Sequence, residues 1–155
     1  MVNSIPFFTQ LQINKNEIPL FAIHLFEFIG KSDKLMEFEN LSGDYGNNLK
    51  GAQIVMHNLE NNAIEIRKDL KPGVYKFVNK ILTFDYESYE ISSCRAADEF
   101  LILPKEIGRF VNSGMEIARV QSPFNLVNDK GALLPFTRDI IKQLYKQLVH
   151  SSQIH

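Results

Sequence analysis

The chain predicts an α+β fold, with an antiparallel β-sheet of about five strands flanked by an N-terminal apolar helix and a C-terminal amphipathic helix. Three observations carry that expectation. Apolar residues recur at helical spacing near both ends of the chain. Residues 74–86 instead alternate with the period of two that a sheet with one covered face requires. The connections between the central strand-like runs are short, which favours antiparallel pairing over crossovers.

The first element is expected after Asn16, whose side chain suits an N-cap. Glu17 complements the positive end of the helix dipole, and Pro19 is tolerated in a first turn because its missing N–H has no helical partner there. Gly30 stands where a left-handed C-cap belongs. Between these limits Glu17, His24 and Glu27 share one narrow stripe and the rest of the circumference is apolar, including Leu20, Phe21, Ile23, Phe26 and Phe28. Residues 32–41 fit a short helix and a strand equally, and 42–48 read as a loop around Gly43 and Gly46.

Short β-like runs are expected at Gln53 to His57 and Ala63 to Arg67. After the turn signal Lys71-Pro72-Gly73, two runs, Val74 to Val78 and Ile81 to Tyr86, flank Asn79-Lys80 as a hairpin. Leu82, Phe84 and Tyr86 alternate with Thr83 and Asp85, which puts the three on one face. Tyr89 to Ser92 adds a further possible strand, and the apolar run Phe100 to Leu103 reads as a buried one. Pro104 then opens a helical stretch over Lys105 to Val111, while Met115 to Val120 fits strand or helix. Asn128 to Gly131 reads as a turn. Thr137 is placed as the cap of a last helix running from Arg138 to about Val149, with Ile140, Ile141, Leu144, Tyr145 and Leu148 as its apolar stripe.

Length and composition narrow the function. At 155 residues the chain has the size of a single domain, 1–155, and its 45% hydrophobic and 23% charged residues exclude a disordered polymer. Seventeen basic against eighteen acidic groups give a net charge of −1, too little to hold a nucleic acid by a basic surface, so nucleic acid is not an expected partner. The stripe of Arg138, Lys142 and Lys146 on the last helix reads as a solvated face. One cysteine rules out an internal disulfide. The first ten residues have no secretory pattern and no apolar run approaches the roughly 20 residues of a membrane span, so a cytoplasmic protein without a span is expected.

Chemistry leaves few signatures. The four histidines include no i, i+4 pair and there is no Cys-x-x-Cys, so no metal and no cofactor is expected. Neither phosphate-loop glycine pattern occurs, and neither does the nucleophile elbow of serine hydrolases. Cys94 beside Arg95 fits an activated thiol or a small buried residue at a strand end. Asp85, Glu87 and Glu90 interleave with Tyr86 and Tyr89, as on a solvated strand edge or a protein-contact surface.

The expectation is therefore a non-enzymatic protein-binding module: an adaptor, a secretion-type chaperone or an immunity-type inhibitor, with a protein partner or a second copy as occupant. Its contact residues are Leu20, Phe21, Ile23, Phe26 and Phe28 on the apolar helix, with Tyr86 and Tyr89. The alternative is a small enzyme or small-molecule binder, with a pocket between sheet and helices drawing on Asp44, Tyr45, Cys94, Arg95 and Arg109.

Overall fold

The computed structural model describes residues 51–67, 70–105, 107–128 and 130–149. The apolar helix with Leu20, Phe21, Ile23, Phe26 and Phe28, the ambiguous 32–41 and the loop carrying Asp44 and Tyr45 lie outside the described residues.

The alternating segments become strands. They are β1 (Ala52–His57), β2 (Ile64–Glu65), β3 (Gly73–Val78), β4 (Ile81–Tyr86), β5 (Glu99–Pro104), β6 (Phe110–Val111) and β7 (Glu116–Ser122), followed by helix α1 (Pro135–Leu148). Five of the strands form one sheet in the order β1-β7-β5-β3-β4, and β2 and β6 form a separate two-stranded ribbon. Every pairing is antiparallel. The five-stranded antiparallel sheet and the C-terminal helix are the parts of the expected α+β arrangement that the described residues show; the N-terminal helix expected to flank the sheet lies outside them.

One face of the sheet carries the core. Met56, Tyr75, Leu82, Phe100, Ile102, Ala118 and Val120 pack in a single buried cluster with Ile140, Leu144 and Leu148 of α1. The three helical residues stand four apart, so they line one side of the helix. The register slips between Met56 and His57, so Ile117 is the extra residue of a bulge. A bulge of this kind turns two consecutive side chains the same way, and both Ile117 and Ala118 are in the core.

Val74 and Leu101 belong to the opposite face and are also fully buried. Ile91 and Cys94, in the segment between β4 and β5, are buried outside the helix-side cluster too. That segment is fastened to the sheet at both ends. The Tyr86 hydroxyl donates to the Ser93 carbonyl at 2.7 Å, and the Glu99 carboxylate accepts the backbone N–H groups of Arg95 and Ala96 at 2.7 and 3.1 Å.

Four sequence expectations are corrected. Lys105 to Val111 is not helical among its described residues: Gly108 takes a φ of 72°, its N–H goes to the Ile66 carbonyl, and Phe110–Val111 pairs with β2. A glycine in the left-handed region ends a helix, and pairing of Val111 with Ile64 satisfies the backbone instead. The strand expected at Tyr89 to Ser92 is a 3-10 turn, Ile91–Ser93. Helix α1 starts at Pro135 with Leu134 as its N-cap, ahead of Thr137. Proline's fixed φ and missing N–H suit that first turn, and Thr137 is buried inside the helix, its hydroxyl donating to the Leu126 carbonyl at 2.9 Å. Finally, Phe84 and Tyr86 do not share a face. The register slips between Val74 and Tyr75, so Tyr86 pairs with Val74 while Phe84 pairs with Tyr75. Among the described residues no helix is long and apolar enough to cross a membrane.

Candidate functional site

The β3–β4 hairpin gathers the surface features with the most chemistry. Asn79 and Lys80, at φ 53° and 62°, form its two-residue turn in the left-handed conformation, which suits the right-handed twist of the flanking strands. Strand β4 is the outermost strand of the sheet. In such a hairpin Ile81 and Thr83 turn their main chain inward to β3, while Leu82 and Phe84 turn theirs outward.

The outward groups are treated unequally. The Leu82 N–H donates to Gln143 Oε1 at 3.1 Å, and Gln143 Nε2 donates to the Lys80 carbonyl at 2.6 Å. One glutamine of α1 therefore clasps the turn end of the edge. The main chain of Phe84 has no hydrogen-bond partner among the described residues. Around it, Ile81 is 59% exposed, Phe84 40%, Tyr86 41% and, beyond the strand, Tyr89 46%. Phe84 stands on the helix side, edge-on to the Tyr75 ring at 5.3 Å between centroids. Ile81 and Tyr86 stand on the other side, where Asp85 pairs with Lys76 at 2.7 Å. The hydrogen bond and charge of Asp85 hold the Lys76 ammonium above its ordinary pKa.

Beneath Phe84 lies a cleft of about 310 Å³ lined by Arg67, Leu70, Tyr75, Leu82, Phe84 and Gln147. The Tyr75 hydroxyl is engaged, donating to the Lys71 carbonyl at 2.7 Å. The Lys71 ammonium stands 5.8 Å from the centroid of the Phe84 ring. None of these cleft residues was singled out from the sequence as a site. The available signal was the period of two that puts Leu82 and Phe84 on one face behind a turn carrying Lys71.

Of the expected pocket residues, Cys94 and Arg95 fall with Tyr89 in the segment between β4 and β5, which Tyr86 at the end of β4 meets through the Ser93 carbonyl. Arg109 does not join them: it precedes β6 in the ribbon, where its carbonyl accepts the Ile66 N–H at 3.0 Å. Cys94 is buried, and burial, with the Glu99 carboxylate adding to it, pushes its thiol up to about 12. A thiol so held is protonated near neutral pH and is a poor nucleophile. The Arg95 N–H, with those of Ala96 and the Lys76 charge, holds the Glu99 carboxyl below the usual range although burial opposes it. Glu99 therefore acts as a fixed anchor of the 94–99 turn.

Other polar clusters are also internally satisfied. Asn58 is buried and uses its whole amide, donating to the carbonyls of Asn62 and Val111 and accepting the Glu60 N–H, each at 2.9 Å. Glu116 receives Arg119 through two hydrogen bonds, at 2.6 and 3.1 Å, and Lys105 at 3.3 Å. Among the described residues no group of three or more His, Cys, Asp and Glu is placed to hold a metal ion. The outer face of α1 presents Arg138, Lys142 and Lys146 to solvent. Comparison of the chain with protein-family models, curated proteins and solved structures finds no match.

Proposed function

We propose that the chain is a non-enzymatic protein-binding module that receives an extended segment of a partner protein along the outer edge of β4. The observation that carries this reading is the outward main chain of Phe84, flanked by exposed Phe84 on one side of the strand and by Ile81 and Tyr86 on the other. A strand added here gains main-chain hydrogen bonds from Phe84. Its alternating side chains then meet an aromatic ring on each face, the arrangement by which strand addition combines affinity with selectivity. Tyr86 and Tyr89 suit such a contact, since tyrosine offers a wide apolar ring with a polar tip. Glu87 and Glu90 are exposed at this end of the strand and favour a partner with basic residues there. Such a contact suits an adaptor, a secretion-type chaperone or an immunity-type inhibitor.

Site-specific photo-cross-linking in a lysate of the native host tests the reading. A photoreactive phenylalanine at position 84 or 89 is expected to capture the same protein partner, and one at Lys142 on α1 is not. Ile81→Asp is expected to reduce capture at both positions. The reading is lost if no protein adduct forms, or if position 142 captures the same protein equally well.

A further inference from the structure

We infer that the cleft under Phe84 is a binding site for a small carboxylate with an apolar body. This inference is independent of strand addition at the β4 edge. The cleft's volume of about 310 Å³ lies at the small end of the range for small-molecule sites, roughly 300–1,000 Å³. Its walls are the side chains of Leu70, Tyr75, Leu82 and Phe84, and its polar lining is Arg67 and Gln147. With the Tyr75 hydroxyl already donating to the Lys71 carbonyl, the ring remains as an apolar wall.

Charge selects the head group. Lys71 is exposed, makes no ion pair among the described residues, and holds its ammonium over the Phe84 ring that forms part of the cleft. Arg67 also lines the cleft and is itself engaged in another interaction, so Lys71 is the cation that selects the ligand. The C-terminal end of α1, where Gln147 sits, opposes Lys71 with partial negative charge. That end amounts to about half an elementary charge and is itself offset by Lys146 in the same turn. The full positive charge of Lys71 outweighs it, so the site favours an anion at the mouth and disfavours a cation. The planar, apolar walls favour an aromatic or short aliphatic body behind that anion.

The test titrates the full-length, isotopically labelled chain with phenylacetate and, separately, with its neutral counterpart phenylacetamide, followed by nuclear magnetic resonance. Phenylacetate is expected to move the Leu70 and Leu82 methyl signals and the Tyr75 and Phe84 ring signals saturably. It is expected to bind about three- to fivefold more tightly than the amide, as one solvent-exposed charge pair allows. Lys71→Gln, a change at an exposed position, is expected to bring the two affinities together. Equal binding of acid and amide by the wild-type chain overturns the inference. So does a preference that survives Lys71→Gln, and so does the absence of saturable movement at these four residues up to about 10 mM.

Discussion

At the scale of single residues, the chemistry turns on how completely each polar group is engaged. Cys94 shows the effect of burial without a cationic partner. The rise from 9.0 to about 12 lowers the thiolate fraction near neutral pH by about a thousandfold. Iodoacetamide is therefore expected to modify Cys94 two to three orders of magnitude more slowly, roughly, in the native chain than in urea. Comparable rates in the two states would show the thiol to be accessible and ionised. Glu99 shows the opposite case. Its folded pKa lies below the ordinary 4.5, so its contribution to stability is complete above that value and is lost as pH falls through the lowered one. Urea unfolding from about pH 6 to about pH 3 is expected to show wild type more stable than Glu99→Gln at the upper end, with the gap closing on acidification. A gap that stays constant would mean that the carboxylate charge plays no part. The sequence placed Cys94 and Arg95 side by side but held no sign of Glu99, whose carboxylate reaches back to the N–H groups of Arg95 and Ala96. A turn that folds back on itself brings a side chain to backbone groups that no side-chain motif describes.

Elements were legible wherever a pattern ran for several residues. The hairpin follows from the alternation on each side of Asn79-Lys80, the buried β5 from four consecutive apolar residues, and α1 from Ile140, Leu144 and Leu148. What failed was short or local. Strands β2 and β6 have two residues each, too few to show a period, and Gly108 decided the fate of the segment before β6. The bulge at Asp85 reversed the side to which Tyr86 points, because one extra residue shifts the alternation by one. The hairpin turn supplies the prediction at this scale. Lys80 holds a φ of 62°, a conformation that costs a residue with a side chain about 1–2 kcal/mol. Lys80→Gly removes that cost, loses roughly 0.5–1 kcal/mol in chain entropy, and leaves the carbonyl that Gln143 uses. A net gain of about 0.5–1 kcal/mol is expected, read as a rise in the thermal midpoint. A fall would mean that the turn does not hold this geometry in solution.

At the scale of the whole molecule, the described residues are organised by one face of the sheet closing on one helix. Leu144 stands in the middle of the helical stripe and is fully buried. Leu144→Ala is expected to cost about 2–5 kcal/mol in urea unfolding, the lost burial plus the cavity left behind. A cost below about 1 kcal/mol would place the residue at a margin of the core. The residue pattern pointed to the α+β class but not to the strand order, since β1 and β7 pair residues about sixty to seventy positions apart and nothing local encodes that pairing. The same long reach governs Gln143, which arrives from α1 to hold the turn end of β4. An outermost strand left open along its length invites copies of the chain to stack edge to edge into polymers. By occupying Lys80 and Leu82, Gln143 shortens the open part of β4, among the described residues, to the stretch around Phe84. In the proposed strand addition, the helix would thereby fix the register at which a guest strand begins.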